Sequence, residues 1–292
     1  MDKKIGVIGI PKRWSSELLA DAIYDLTGFR LLVDLSKVEV DFEAKKVWFE
    51  GVDLTELDAL IIKKVSPEYS SYILDRLEIL CYLESLGVKI FSSPKNIAAM
   101  VDRLSCTVKL QQAGIPMPPT TITEDLDIAE RAIKKYGQAI LKPLYTSKAR
   151  GMILVSSEDD IRTELEEYKQ HHPVFYIQKK IDLNGKDLGV AFLGGKYLAT
   201  YARCRANNRT WNTTTVNGGK YSTYEPSAEV IELATRAQKP FGLDFTCVDV
   251  AETSEGLFVF EVSAFGGFRG LLDGCGLDAA KMYAQYVLER IR

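Results

Sequence analysis

Two carboxylates stand where an apolar strand has no use for them: Asp249 in CVDV and Glu261 in FVFEVSAFGG. The segments 248–250 and 260–262 flank the turn signal Thr253-Ser254-Glu255-Gly256, so a hairpin folded about it sets the two acids at near-equivalent positions on one face. Like charges side by side in apolar strands repel, and burying them is costly unless something positive lies between. A hard divalent cation with oxygen ligands meets that need, and Mg²⁺ in particular uses one or two carboxylates together with phosphate oxygens. Ser263, in phase with Glu261, supplies a neutral third oxygen.

If a metal carries phosphates there, basic groups should converge on it. Lys142 ends the apolar strand AILKPLY, and the loop after it, TSKARG, holds Lys148, Arg150 and Gly151. A strand, a small-residue loop with exposed amides, then another strand is a device for covering phosphate. Arg203, at the end of ATYAR, is a further cation able to stabilise an anionic intermediate.

The elements that must hold these residues fall into three stretches. Strand and helix patterns alternate over residues 1–94 (KIGVIGI, SSELLADAIYDLTG, FRLLVDL, DALIIKKV, YILDRLEILCYLESLG, VKIFSS), which predicts a doubly wound, mostly parallel sheet with a hairpin over residues 38–51. A helix over 95–113 and the proline-rich connection GIPMPPTT open a second α+β stretch, 95–182. It holds a helix over 125–136, the strands around Lys142 and MILVSS, a helix over 158–170 and the strand VFYIQKKI. The third, 183–292, begins with long antiparallel strands turning at Gly194-Gly195. It continues through the polar loop NNRTWNTTTVNGGK, a helix over 227–241, the acidic hairpin and a last helix over 278–292.

Composition removes several classes. A formal net charge of −3 over 292 residues gives no pull toward nucleic acid or an anionic membrane. No apolar run approaches the ~20 residues of a membrane span, and the short run after Lys4 ends at Pro11 without a cleavage site, so a cytoplasmic protein is expected. The five cysteines are scattered, with no CxxC pair, which argues against a disulfide framework or a zinc site. The only histidines, His171 and His172, close an amphipathic helix ahead of Pro173, a poor place for the base of a nucleophilic triad. The first turn, VIGIP, lacks a dinucleotide fingerprint.

The succession VDRLSCTVKLQQAGIPMPPT, ILKPLYTSKARGM, YIQKKIDLNGKDLGVAFLGGKYLATYAR, WNTTTVNGG, CVDV and FEVSAFGGFRGL resembles the ATP-grasp superfamily, most closely its RimK-like, α-L-glutamate-ligase-like branch. Within that branch it is similar to the GAK-system ATP-grasp proteins. The resemblance implies an α/β (α+β) fold with an N-terminal Rossmann-like pre-ATP-grasp domain followed by two α+β subdomains that clasp ATP. It implies a ligase that phosphorylates a carboxylate with ATP, holds the acyl phosphate between two Mg²⁺ ions, for which Mn²⁺ could substitute, and lets an amine attack it to form an amide. The partners it implies are ATP, a carboxylate substrate and an amine (amino-acid) acceptor, with a homo-oligomer open. By that resemblance Arg103 and Lys142 contact ATP phosphates, with Thr146, Ser147, Lys148 and Gly151 in the phosphate loop. Gln178, Lys179, Lys180 and Ile181 form the adenine hinge, Asp187 binds ribose, Thr214 lies in the nucleotide loop, Arg203 and Lys142 act in catalysis, and Asp249, Glu261 and Ser263 ligate Mg²⁺.

The chain departs from the branch at Arg103 (a Lys in relatives), Thr146 and Ala149 in the loop, Lys179 (an acid), Gly189 (an Arg), Thr214 (an Asn) and Ser263 (an Asn). Arg103 keeps the charge and Ser263 keeps an oxygen, so nucleotide and metal binding are expected to survive. The change at Gly189 and the altered WNTTTVNGG loop point to an acceptor other than the usual glutamate chain. Two other readings stay open: a non-catalytic nucleotide-binding regulatory protein with a degenerate site, and a phosphotransferase that stops at the phosphorylated product. Arg269 and the small and aromatic residues of AFGGFRGLLDGCG are placed by position at the border of the acceptor pocket.

Overall fold

The computed structural model describes residues 3–68, 70–147, 149–206, 213 and 218–291. Strand β1 (Ile5–Ile8) is buried at every position, the mark of a strand with neighbours on both edges and cover on both faces. Helix α1 (Trp14–Thr27) leads to β2 (Leu32–Val33). The expected hairpin gains a strand: β3 (Val38–Asp41), β4 (Lys46–Phe49) and β5 (Val52–Asp53) form an antiparallel sheet of their own. After β6 (Ala59–Ile62), α2 (Tyr72–Ser85) and β7 (Lys89–Phe91), the main sheet closes in the order β2-β1-β6-β7, parallel throughout.

The single helix expected over 95–113 is two. Helix α3 (Pro94–Ala98) ends, and α4 (Arg103–Gln112) starts afresh. Asp102 causes the break: its extended backbone and its carboxylate, accepting from the Ser105 N–H at 2.8 Å, make it an N-cap. Arg103 thereby becomes the first residue of the new helix.

The proline-rich connection ends in a strand, β8 (Thr120–Thr123), which the sequence pattern had not suggested. Helix α5 (Leu126–Tyr136), capped by Asp125, then β9 (Gln138–Leu141), β10 (Ile153–Ser156), α6 (Ile161–Lys169) and β11 (Phe175–Lys179) complete a sheet of order β10-β9-β11-β8. Ile133, Leu141, Val155, Leu165 and Phe175 close a core between that sheet and its two helices.

Strands β12 (Lys186–Leu193) and β13 (Lys196–Cys204) turn through Gly194 and Gly195, with φ of 59° and 74°. Both central residues in the left-handed region give the tight hairpin that non-glycine residues resist. Strand β14 (Lys220–Thr223), helix α7 (Ala228–Gln238), β15 (Phe245–Thr253) and β16 (Gly256–Ser263) build an antiparallel sheet of order β14-β13-β12-β15-β16. One face, with Leu188, Val190, Val248 and Val250, is sealed by α7. Part of the other is covered by α8 (Phe268–Cys275), to which the sequence pattern had assigned no element, and by α9 (Ala279–Arg290), which also packs on α1 of the first unit. The rest of that second face is open. Among the described residues no helix is long and apolar enough to cross a membrane.

Candidate active site

The open face is ordered by strand register. One row across the sheet reads Tyr201, Gly189, Asp249, Glu261, and the next reads Ala199, Ala191, Cys247, Ser263. Counting back from the turn pair Thr253–Gly256 in a regular ladder would set Asp249 against Phe260. A bulge between Asp249 and Val250 shifts the register so that Glu261 is its partner. Phe260 and Glu261 both reach the cleft that this face shares with the sheet of β9 and β11. The cleft has a volume of about 1550 Å³, its solvent-filled mouth included.

Arg203, Asp187 and Asp249 meet over the row. Arg203, opposite Asp187, donates to that carboxylate from Nε at 3.0 Å and also from Nη2, and its Nη2 lies 2.9 Å from Asp249 Oδ1. Burial lowers the pKa of the Arg203 guanidinium, but the Asp187 and Asp249 carboxylates outweigh it and hold it well above its ordinary value. Burial pushes the Asp249 carboxyl up; Arg203 opposes that, and Asp187 and Glu261 add to it. Protonation is the alternative to a bound cation for such a group.

Arg103 reaches the site from the start of α4, the positive end of a helix, where a cation is disfavoured. It is held by Glu261 Oε2 at 3.2 Å and by the carbonyls of Pro143, from Nε at 3.3 Å, and Thr146, from Nη2 at 3.5 Å. One guanidinium thus ties the root of the TSKARG loop to the acidic hairpin. Lys142 is buried, donates its Nζ to Gln178 Oε1 and lies 5.1 Å from the centre of the Phe260 ring. Burial, with Arg103 nearby, pushes its pKa down to about 7. Among the described residues no set of three His, Cys, Asp or Glu side chains is placed to hold a metal alone. In donor chemistry Asp249 and Glu261 with the Ser263 hydroxyl would suit Mg²⁺, a hard cation that takes oxygen ligands from carboxylates, phosphates and water.

The remaining expected residues divide. Ser147 and Ala149 line the cleft, Thr146 lines the recess beside it with Arg103 and Ser263, and Gly151 stands at the loop's end with φ of 67°. Of the hinge, Ile181 faces the cleft, while Gln178 turns inward to Lys142 and to the Thr120 hydroxyl. The Lys179 side chain turns away, 2.9 Å from Glu255, and Lys180 donates to Gln138 Oε1, while their backbone N–H groups donate to the carbonyls of Pro119 and Gln138. Both Asp187 oxygens are engaged, by Arg203 and by the Thr213 hydroxyl. Lys148 and Thr214 lie outside the described residues.

Arg269 is a correction. It does not border the cleft; α8 carries it outward, where it stacks 3.9 Å from the centre of the Trp14 ring and faces Asp273 at 3.7 Å. Of its segment, Phe265, Gly266 and Gly267 line the cleft. His172 packs against Tyr168, with its Nε2 beside Gly151 at the end of the loop.

Sequence reasoning passed over two features. Tyr201 is buried with its ring where Cβ atoms on Gly189 and Gly270 would fall, each 2.3 Å from a ring carbon. The space at Gly189, where the family resemblance would place an Arg, is therefore filled by an aromatic ring, and a small residue directly across from a large one in the hairpin is the signal that could have shown it. Its hydroxyl lies 3.3 Å from the Cys247 thiol, which burial pushes up to about 12, so that sulfur is no nucleophile at neutral pH. The other is Lys63, just past β6, buried with its Nζ 2.9 Å from the Phe265 carbonyl. Its signal was a lysine pair at the carboxyl end of a buried parallel strand.

The family model of the RimK-like ATP-grasp domain matches residues 100–287. The chain is 25% identical, over 98% of both chains, to the tetrahydromethanopterin:α-L-glutamate ligase of Methanosarcina acetivorans. It is 26% identical, over 70% of this chain and 74% of the other, to the glutamate–LysW ligase ArgX of Sulfolobus acidocaldarius. The fold is shared with the ATP-grasp ligase PsnB, solved with a phosphomimetic variant of its minimal precursor, Mg and ADP, at a TM-score of 0.77 and 17% identity over the whole of both chains. The chain therefore belongs to the RimK-like ATP-grasp family of ATP-dependent ligases.

Proposed function

We propose that this chain joins a carboxylate to the amine of an amino acid, using ATP and two Mg²⁺ ions that Mn²⁺ can replace. The observation that carries the proposal is the meeting, across one cleft, of Lys142, Arg103 and Arg203 with the in-register pair Asp249 and Glu261. The carboxylate oxygen attacks the γ-phosphorus and ADP leaves; the amine nitrogen then attacks the acyl carbon, phosphate leaves, and the amine loses a proton. Lys142 and Arg103 hold the transferring phosphate, the loop 146–151 covers it, and the backbone around Ile181 takes the base. Arg203, already poised beside Asp249, turns its charge to the acyl phosphate. Asp249, Glu261 and Ser263 would hold Mg²⁺, which would supply charge neutralisation for the phosphates. We assign the clasp to two units, 95–182 and 183–292, with 1–94 closing the acceptor side.

The relatives named above transfer glutamate, so L-glutamate is the first amine to supply. The Tyr201 ring leaves the acceptor end less cationic than an Arg at position 189 would, which favours a carboxylate partner with a neutral or aromatic body over a polyglutamate chain. The test is an ADP-release screen of amino acids, peptides and cofactor carboxylates against amines, with products weighed by mass spectrometry. ADP release only when both partners are present, with an amide of the summed mass less water, is the expected result. ADP release that needs no amine makes the protein a phosphotransferase. Tight MgATP binding with no turnover on any pair makes it a nucleotide-binding module.

A further inference from the structure

Lys63 presents a problem that the ligase chemistry above does not use. It is 2% exposed, and its ammonium lies over the Phe268 ring at 3.7 Å and the Phe245 ring at 5.8 Å. Among the described residues it has no carboxylate partner; its acceptors are the carbonyls of Phe265, at 2.9 Å, and Gly266, at 3.5 Å. Burial pushes its pKa down to about 7. A methionine would fill the same slot without the desolvation cost of an ammonium, so the carbonyls are what the lysine serves.

Those two carbonyls belong to the peptide units that carry the Gly266 and Gly267 N–H groups. In a trans peptide the N–H points opposite to the C=O. Drawing both carbonyls toward Lys63 aims both N–H groups the other way, and both glycines line the cleft beside Ser263. Among the described residues no protein acceptor stands against either amide. Gly267, at φ of 92°, allows the chain to present the pair and still enter α8.

We infer that Lys63 is a positioning residue: from the N-terminal unit it holds the loop 265–267 so that the Gly266 and Gly267 amides face the anion formed in the cleft. Lys63 itself touches no substrate, since it lies behind the loop. The inference rests on the ligase reading, because it is the acyl phosphate that those amides would meet.

The test uses the full chain labelled with ¹⁵N-glycine, saturated with MgADP and titrated with inorganic phosphate. The Gly266 amide signal is assigned with Gly266→Ala, which the space around that residue admits. In the wild type, phosphate is expected to shift the Gly266 signal. In Lys63→Met the phosphate affinity read from that shift falls at least about tenfold, while MgADP affinity changes less than about twofold, because misaligned donors lose their anion and the nucleotide half is untouched. If Lys63→Met does not fold, Lys63→Gln, which keeps a donor, is expected to give a smaller loss. Unchanged phosphate affinity in the folded variant overturns the inference, as does a wild-type Gly266 signal that phosphate does not move. Failure of the wild type to bind MgADP overturns the ligase reading as well, which separates the two.

Discussion

Arg203→Met keeps the length of the side-chain stem and deletes the guanidinium that joins Asp187 to Asp249. At 2.9 Å and an effective dielectric constant of about 20, the Arg203–Asp249 attraction is about 6 kcal/mol before desolvation is subtracted. Breaking one partner of a fully buried pair costs about 3–5 kcal/mol. Here the side chains keep 20% (Arg203), 11% (Asp187) and 24% (Asp249) of their exposure, so screening brings the expected loss to about 2–3 kcal/mol. That is a fall of roughly 3–5 °C in Tm for a chain of this size, read by calorimetry in EDTA. Saturating Mg²⁺ at a hundred times its Kd adds about 2.7 kcal/mol to any protein that binds it folded. The variant should gain more than the wild type, because Asp249 has lost the cation that competes for it. Turnover on a working substrate pair should fall about 10²- to 10³-fold. A variant as stable as the wild type in EDTA, or one that Mg²⁺ stabilises less, would refute the assignment of Arg203 and Asp249 to one electrostatic unit.

Gly189→Arg, the residue the family resemblance would place there, should destabilise the fold by about 1–3 kcal/mol through collision with the Tyr201 ring, and adding Tyr201→Ala should return part of that loss in a thermal melt. Lys142, with a pKa of about 7, is roughly nine-tenths neutral at pH 8 and must be charged against phosphate, so ATP binding should take up close to one more proton in the wild type than in Lys142→Met at pH 8, and about a tenth of that at pH 6. Calorimetry in buffers of different ionisation enthalpy reads this, and equal uptake in both proteins at pH 8 would remove Lys142 from the phosphates. Ser263→Asn replaces one neutral oxygen by another in the metal recess, so Mg²⁺ affinity should hold within about threefold or improve; loss of Mg²⁺-dependent stabilisation would show that Ser263 is no ligand.

Much of the site could be read along the chain because its parts lie close in sequence or repeat a local pattern. The acidic hairpin is joined by a turn of two residues, the Gly194-Gly195 hairpin carries its own signal, and Lys142 and its loop are contiguous. What was illegible is tertiary. The bulge at Phe260 that pairs Asp249 with Glu261 follows from packing on both faces, not from strand periodicity. The break before α4 was signed only by Asp102, and a capping acid inside a helical pattern is easily read as one more polar residue. The Lys63 contact spans 202 residues and the Tyr201 ring nests among glycines from two elements, so neither leaves a periodic trace. Arg269 is misplaced for the opposite reason: it is adjacent in sequence to Gly267, but two residues along α8 are about half a turn, which carries its side chain to the other side of the helix.

The claim on which everything rests is that a carboxylate oxygen is phosphorylated before an amine displaces it. The measurement that reaches it most directly supplies the carboxylate of a productive pair from the ADP screen with ¹⁸O in both oxygens, and weighs the phosphate released. One ¹⁸O in each phosphate, with ADP, phosphate and amide formed in equal amounts, is the predicted result. Phosphate without label would mean that water, not the carboxylate, took the phosphoryl group, and would contradict an acyl-phosphate route through Arg203, Asp249 and Glu261.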